Sequence, residues 1–317
     1  MLVLAGAALL VLLLAGCVAL LISSRNRNEQ GQPQNRIGAV YMTMNNPYFE
    51  VVDEKIRAEV RSRGDVMVTR DSALDADMQN RQIEAFVKEG VDLILVNAVD
   101  WDQVRHSLSA AKEAGIPVLA VDAEVSDSSL VEGSVISDNY NAGVLCAEDL
   151  MGRRDSGRIL FLVQSTNSAA VDRIRGFRET LDAAGWPYRA VGQLECQGQL
   201  EIAQPMVEQV LRREEDIDVV MGLNDPSALG AMAALDAAGR LQDVLVYGVD
   251  GAPEAKTMIY EKRMTATAAQ SPVEIGEKTA ELLYDVLEGR EIAEKTIVPV
   301  QLITQENIQR FNLSSWE

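Results

Sequence analysis

The strongest constraint on the fold is a strand-turn-helix unit near the start of the chain, which recurs along the sequence. Residues 37–42 are apolar on both faces, as in a buried strand of a parallel sheet. Asn45, Asn46 and Pro47 interrupt this run; Asn favours turns and helix caps, and Pro favours the first turn of a helix. From Phe49 onward, apolar residues recur at helical spacing. The segment therefore predicts a strand, a polar turn and a helix.

Apolar strands and helical segments alternate along the rest of the chain. Strands are predicted at residues 66–69, 91–96, 116–121, 134–136, 158–163, 188–194, 219–221, 244–249, 264–269 and 296–303. Nearly continuous apolar strands separated by helices specify a doubly wound α/β fold with parallel sheets and right-handed crossovers. There is too much sheet for one layer, and a break falls near Ser137. We therefore predict two Rossmann-like lobes.

Composition excludes several functional classes. The 317 residues include 48 acidic and 29 basic ones, giving a formal net charge of −19, and no basic stretch stands out. A nucleic-acid partner is therefore not expected. Cys17, Cys146 and Cys196 are too few for a disulfide scaffold, and the sequence does not decide whether the latter two pair. Because His106 is the single histidine, no zinc site is expected, and no other metal or cofactor is expected either.

The first 22 residues predict a connection to a membrane. Residues 2–22 are uncharged and almost wholly apolar, which is typical of an export signal or a membrane segment. Residues 14–17, Leu-Ala-Gly-Cys, resemble a bacterial lipobox, which implies a lipid on Cys17 and an extracytoplasmic location. An uncleaved anchor helix is the alternative, and Arg25 and Arg27 keep a cytoplasmic orientation open. Residues 23–35 are predicted to be a polar linker.

Polar side chains follow the predicted strands where they end, and ligands of open α/β sheets bind beyond these carboxyl ends. Asn and Asp at such turns are also good helix caps, which is the simpler explanation of any single one. Together they form a ring of hydrogen-bonding groups with one cation and two aromatic rings, which suits a neutral polyhydroxylated molecule. The candidate ligand-binding residues are Asn46, Tyr48, Phe49, Asp122, Arg173, Asn224, Asp250 and Gln270.

Five segments between about residue 36 and about residue 308 resemble the ribose/galactose-type periplasmic sugar-binding proteins. They are residues 45–49 (Asn-Asn-Pro-Tyr-Phe), 116–122 (Ile-Pro-Val up to Asp122), 224–230 (Asn-Asp-Pro-Ser-Ala-Leu-Gly), 247–251 (Tyr-Gly-Val-Asp-Gly) and 269–272 (Ala-Gln-Ser-Pro). The resemblance implies the type 1 periplasmic binding fold, in which a sugar is clamped between two lobes. It also implies three crossovers between the lobes, near Ser137, Gln270 and Pro299.

The same resemblance implies how residues divide between the lobes. The N-terminal lobe comprises residues 36–137 and 271–298, and the C-terminal lobe comprises residues 138–270 and 299–317. Sugar contacts come from Asn46, Tyr48, Phe49 and Asp122 in the first lobe and from Arg173, Asn224 and Asp250 in the second, with Gln270 at a hinge. The sequence departs from the family pattern at Met42, at Ala123 and in having no aromatic residue at 197–200, so the identity of the sugar is left open.

The resemblance implies a monomeric binding protein that delivers a neutral monosaccharide to an ABC sugar importer. A sensor histidine kinase is the alternative partner, which an uncleaved anchor helix would favour. An enzyme is disfavoured because the common nucleotide, hydrolase and metalloprotease motifs are absent, although Asp122 and Asp250 could form a glycosidase pair. A regulator of the lactose-repressor type would need an N-terminal helix-turn-helix, where this chain has an apolar segment and a linker.

Overall fold

The computed structural model describes residues 34–213 and 216–316. Its strands are β1 (Arg36–Tyr41), β2 (Val66–Asp71), β3 (Leu93–Val96), β4 (Val118–Asp122), β5 (Gly133–Ser137), β6 (Gly157–Val163), β7 (Tyr188–Glu195), β8 (Val219–Gly222), β9 (Leu245–Asp250), β10 (Ala266–Ala269), β11 (Lys295–Val298) and β12 (Gln301–Thr304). Its helices are α1 (Pro47–Ser62), α2 (Ala76–Glu89), α3 (Arg105–Glu113), α4 (Asn139–Arg153), α5 (Ser168–Ala183), α6 (Leu200–Leu211), α7 (Asp225–Ala237), α8 (Pro253–Tyr260) and α9 (Pro272–Leu287).

The described strands form two six-stranded sheets, one in each lobe. The first sheet has the order β11-β5-β4-β3-β1-β2 and is parallel throughout. The second has the order β12-β10-β9-β8-β6-β7 and is parallel except for β12, which runs antiparallel to β10. The prediction of two α/β lobes is therefore confirmed, while the expected parallel pattern fails at one edge strand of the second sheet.

The chain passes between the two sheets after β5, after β10 and between β11 and β12. The last passage corrects the prediction that residues 296–303 form one strand. Lys295–Val298 pairs with β5 in the first sheet, whereas Gln301–Thr304 pairs with β10 in the second. Pro299 separates the two strands, because a residue without a backbone N–H cannot donate to either ladder. The exact residue boundaries of the lobes stay a proposal.

Two glycines allow helices α4 and α5 to pack closely in the second lobe. A Cβ added to Gly143 would lie 2.0 Å from the carbonyl oxygen of Arg173. A Cβ added to Gly176 would lie 2.1 Å from the carbonyl oxygen of Tyr140. Both contacts are with backbone atoms that cannot swing away, so only glycine fits at either position. This close packing brings Arg173 on α5 beside Asn139, the first residue of α4.

The fold begins slightly earlier than the sequence predicts. Asn35, assigned to the linker, donates from its backbone N to Asp65 Oδ1 at 2.8 Å and from its Nδ2 to Asp65 Oδ2 at 3.0 Å. The expected export or anchor segment, residues 1–22 with Cys17, lies outside the described residues. In the described part of the chain, no helix is long and apolar enough to cross a membrane.

The thiols of Cys146 and Cys196 are both buried and free, which answers the question that the sequence left open. Burial is the main cause that raises the pKa of each thiol, to about 11 for Cys196. Both side chains therefore behave as small apolar groups of the second-lobe core. Across residues 34–213 and 216–316, no group of His, Cys, Asp and Glu side chains could hold a metal ion.

Candidate functional site

A small cavity lies between the two lobes at the carboxyl ends of their strands. Its free volume is about 40 Å³, and side chains of both lobes line it. All eight predicted binding residues meet here: Asn46, Tyr48, Phe49, Asp122, Arg173, Asn224, Asp250 and Gln270. A larger groove, of about 330 Å³, lies beside α5 on the second lobe and contains none of the eight. The cavity between the lobes is therefore the candidate binding site.

Asp122 ends β4 and points its carboxylate into the cavity. Its backbone has a φ of 68°, a left-handed conformation that non-glycine residues adopt at a cost and that is common at functional sites. Asn97 orients the carboxylate of Asp122. Its Nδ2 donates to Asp122 Oδ2 at 3.4 Å and to the Val121 carbonyl oxygen at 3.1 Å. The hydrogen bond to this carboxylate comes from a side chain, so Asp122 is not merely capping a helix.

Asp250 ends β9 on the opposite wall and also has a positive φ, of 136°. Its Oδ1 accepts a hydrogen bond from Gln270 Nε2 at 2.8 Å and lies 3.6 Å from Arg173 Nη1. Burial raises the pKa of this carboxyl, Arg173 opposes the rise, and the nearby carboxylates of Asp225 and Asp122 add to it. Asp250 can therefore hold a proton more readily than an exposed aspartate.

Arg173 is the cation of the cavity and is 4% exposed. Its Nε donates to Asn139 Oδ1 at 2.8 Å, and its Nη1 donates to the carbonyl oxygen of Leu223 at 2.9 Å. Arg173 does not pair with its neighbour Asp172, which instead forms a surface ion pair with Arg175 at 2.9 Å. Arg173 thus places one fixed positive charge among the buried carboxylates of the cavity, and its charge lowers the pKa that burial raises at Asp122.

Asn46 and Asn224 are both helix caps. Oδ1 of Asn46 accepts from the backbone N of Tyr48 at 3.0 Å at the start of α1. Oδ1 of Asn224 accepts from the backbone N of Ser227 at 3.0 Å at the start of α7, while its Nδ2 donates to the Gly198 carbonyl at 3.0 Å. Helix capping therefore accounts for part of the role of each amide, and both amides also line the cavity.

Tyr48 and Phe49 supply the aromatic surface of the cavity from the first lobe. Their rings pack edge to face, with centroids 5.4 Å apart and planes at 88°. Burial raises the pKa of Tyr48 well above its usual value, so its hydroxyl stays protonated and can donate a hydrogen bond. The other lining residues are Met42, Thr43, Gln164, Asn167, Ala169, Gln197, Gly198, Gln199 and Leu223. None of them is aromatic, so the second lobe adds no ring to the described lining.

Four polar atoms of the lining are buried without a hydrogen-bond partner among the described residues: Tyr48 OH, Asp122 Oδ1, Asp250 Oδ2 and Gln270 Oε1. Each unsatisfied buried polar group costs about 1–3 kcal/mol. Asp122 Oδ1 and Gln270 Oε1 are acceptors, Asp250 Oδ2 is an acceptor when its carboxyl is ionised, and these three atoms come from both lobes. The cavity is therefore built to receive a molecule that carries several hydrogen-bond donors.

Hydrogen bonds across the cleft hold the lobes together around the cavity. On one side, Asn45 Nδ2 donates to Gln199 Oε1 at 2.8 Å. On another, the backbone N of Trp101 donates to the Thr166 carbonyl at 3.0 Å. Ser168 Oγ both accepts from the backbone N of Glu124, at 2.8 Å, and donates to its carbonyl oxygen, at 3.0 Å. The lobes are closed on each other in this structure.

Sequence reasoning did not identify several residues that shape the site. Asn97, which orients Asp122, directly follows the predicted strand at 91–96, so the rule applied at the other strand ends would have included it. Gln197 has a φ of 52° and precedes Gly198, a pair that signals a tight turn at the end of β7. Trp316 packs edge to face on Tyr48 from the far end of the chain, which no local pattern predicts.

Comparison with known proteins agrees with this architecture. The model of the periplasmic binding protein domain matches residues 37–291. The chain is 28% identical to the ribose import binding protein RbsB of Bacillus subtilis, over 88% of this chain and 90% of that protein. It is 29% identical to the D-apiose import binding protein of Actinobacillus succinogenes, over 74% and 76% of the two chains.

Among solved structures, an ABC transporter solute-binding protein of Mycobacterium smegmatis with bound glycerol is 28% identical. It superposes with a TM-score of 0.81, covering 87% of this chain and 96% of that one. Because the family model spans most of both described lobes, the chain belongs to the periplasmic binding protein family.

Proposed function

We propose that this protein is an extracytoplasmic solute-binding protein that captures a neutral monosaccharide between two closing lobes and delivers it to an ABC sugar importer. Binding is reversible, without chemical turnover. The observation that carries the proposal is the set of buried, unpartnered polar atoms on Tyr48, Asp122, Asp250 and Gln270 around one cavity. Hydroxyl groups of a sugar can donate to the three acceptors and accept from the tyrosine hydroxyl.

Charge in the cavity favours a neutral ligand over an anion. Asp122 and Asp250 are acidic, and the guanidinium of Arg173 in the described lining donates hydrogen bonds to Asn139 and to the Leu223 carbonyl. The carboxylates would repel an anionic ligand, and the guanidinium is already engaged in the two hydrogen bonds named above. Vicinal hydroxyls instead suit carboxylate and amide acceptors, and the rings of Tyr48 and Phe49 suit the apolar C–H face of a sugar.

The importer partner is supported by the relatives, which are import binding proteins and an ABC transporter solute-binding protein. We further propose that the protein is a monomer held at the membrane by a lipid on Cys17, with an uncleaved anchor helix at residues 2–22 as the alternative. Mass spectrometry of the membrane-extracted protein decides between them. A diacylglycerol adduct on an N-terminal Cys17 supports the lipid, and an intact residue 2–22 peptide supports the helix.

Calorimetric titration of the full chain tests the proposed ligand class. The protein is solubilised in a detergent without a sugar headgroup and titrated with pentoses, hexoses, polyols and matched sugar phosphates. We expect saturable 1:1 binding of at least one neutral sugar and much weaker binding of its phosphate. Binding restricted to anionic ligands, or formation of a reaction product, would overturn the proposal.

A further inference from the structure

The end of the described chain is fastened to the second lobe. After β12, Ile308 is buried, and Phe311 and Leu313 pack against the core built around α6, α7 and α8. The amine of Lys256 on α8, which is buried, donates to the carbonyl oxygen of Ser315. These contacts make residues 305–316, here called the C-terminal segment, a part of the second lobe.

Trp316, at the end of this segment, reaches across to the first lobe. Its ring packs edge to face on Tyr48 at the start of α1, with centroids 5.8 Å apart and planes at 75°. It touches apolar cores of both lobes, since it packs against the first-lobe cluster around β1 and α1 as well as that of the second lobe. Asn45, Asn46 and Pro47 line the same interlobe groove as Trp316.

The contact matters because Tyr48 is part of the binding cavity. Its ring is held from its own lobe by Phe49 and from the other lobe by Trp316. Its hydroxyl is one of the four unpartnered polar atoms around the cavity. Helix α1 moves with the first lobe and the C-terminal segment with the second, so separating the lobes breaks the Tyr48–Trp316 contact while the Tyr48–Phe49 contact persists.

We propose that Trp316 is a latch that forms when the lobes close and that positions Tyr48 against the ligand. The latch rests on the proposed function only for its effect on ligand binding. Its effect on closure follows from the geometry alone. Edge-to-face aromatic pairs change an equilibrium by about two- to tenfold beyond the area that they bury. Trp316 is not among the residues that line the cavity, so it acts through the tyrosine.

Closure without any sugar is measured by a cross-link on a different side of the cleft. The pair E124C and S168C places two cysteines where Ser168 Oγ already contacts the backbone of Glu124. Oxidised glutathione joins the two thiols as a disulfide when the lobes are closed, and is itself reduced. In the full chain carrying this pair, we expect Trp316→Ala to slow disulfide formation about two- to tenfold.

Two further variants are matched controls for this experiment. Trp316→Phe keeps an aromatic ring against Tyr48 and should retain most of the cross-linking rate. Tyr260→Ala removes a ring of the second lobe that is 51% exposed, and should leave the rate unchanged. Equal rates in the parent pair and with Trp316→Ala would overturn the latch, as would an equal loss with Tyr260→Ala.

Titration with D-ribose then measures positioning of Tyr48. We expect Trp316→Ala to weaken D-ribose binding about two- to tenfold, mainly through faster dissociation, in addition to any fall in melting temperature from the lost packing of the ring on both cores. A fall in melting temperature with unchanged affinity would overturn the positioning role. If the parent protein binds neither D-ribose nor any other sugar, the proposed function fails, while the sugar-free cross-linking rates still decide the latch.

Discussion

Gln270 and Asp250 are joined by two hydrogen bonds. Nε2 of Gln270 donates to Asp250 Oδ1 at 2.8 Å, and the backbone N of Gln270 donates to the Asp250 carbonyl at 3.0 Å. Asp250 ends β9 in the second lobe, and Gln270 begins the passage from β10 to α9 in the first. A carboxylate of the cavity is thus oriented by a residue at a crossing between lobes, so its orientation is coupled to the arrangement of the lobes.

Replacing Gln270 by Leu should weaken sugar binding. The variant removes both the hydrogen bond that orients Asp250 and the Oε1 acceptor, and hydrogen bonds to charged groups are worth roughly 1.5–3 kcal/mol. We expect an affinity loss of about tenfold to hundredfold by calorimetry. Gln305→Leu is the control, because Gln305 also has a buried, unpartnered Oε1 but does not line the cavity. Equal affinities in the two variants would contradict the role of Gln270.

Replacing Gly143 or Gly176 by Ala should destabilise the second lobe. Each new Cβ would lie about 2 Å from a backbone oxygen of the neighbouring helix, so α4 and α5 must separate. Overpacking of this kind costs about 1–3 kcal/mol or more. Urea denaturation measures the loss. Gly152→Ala on the same α4 is the control, because a Cβ there meets nothing within 4 Å, and it should be neutral or slightly stabilising. An unchanged free energy of unfolding in Gly143→Ala would show that the two helices can separate without cost.

The strand ends could be located from the sequence because buried parallel strands are nearly continuous apolar runs. Asp122 and Asp250 follow such runs directly, so their places at the carboxyl edges of the first and the second sheet were predictable. The strand at 296–303 was misjudged, because apolar periodicity does not report which sheet a strand joins. The short α8 was missed, since its eight residues carry little helical periodicity.

Two relationships of the site were beyond the reach of sequence patterns. Asn97 orients Asp122 and Trp316 packs on Tyr48, and both pairs are distant in the chain. Such contacts depend on how the sheets and lobes pack, not on local propensity. The double role of Asn46 and Asn224 was also undecidable, because one amide can cap a helix with its oxygen and still line a cavity.

Stability should depend on pH through Asp250. Burial raises its pKa in the folded protein above the usual value of about 3.9, with Arg173 opposing and Asp225 and Asp122 adding. The folded state therefore binds more protons than the unfolded state between the two values. This contribution to stability is fully present below about pH 4 and is lost as pH rises through the raised pKa. As pH rises, the urea midpoint of the ligand-free parent protein should therefore fall relative to that of Asp250→Asn, because the asparagine does not titrate. A constant difference between them would argue against a raised pKa.

Replacing Asp122 by Ala should separate binding from stability. The variant removes an unpartnered acceptor that faces the cavity, so sugar affinity should fall about tenfold to hundredfold. Burial raises the pKa of this carboxyl, so its charged form is disfavoured in the folded protein and its removal should leave the melting temperature equal or higher. Glu124→Ala, two residues along the same loop and outside the cavity lining, is the control for affinity. Retained affinity together with a lower melting temperature would make Asp122 a structural residue.

Replacing Arg173 by Ala should lower both affinity and stability. The variant leaves Asn139 Oδ1 and the Leu223 carbonyl without their donor, and leaves Asp250 without its counter-charge. Breaking a buried pair from one side costs about 3–5 kcal/mol, so the melting temperature should fall clearly. Arg175→Ala on the same α5 is the control, because Arg175 is exposed and pairs with Asp172 at the surface, where such pairs contribute about 0–1 kcal/mol. Arg173→Lys keeps the charge but not the fork of donors, and should recover part of the stability while binding sugar more weakly than the parent protein. If Arg173→Ala matched Arg175→Ala in both melting temperature and affinity, the buried guanidinium would not be organising the second wall of the cavity.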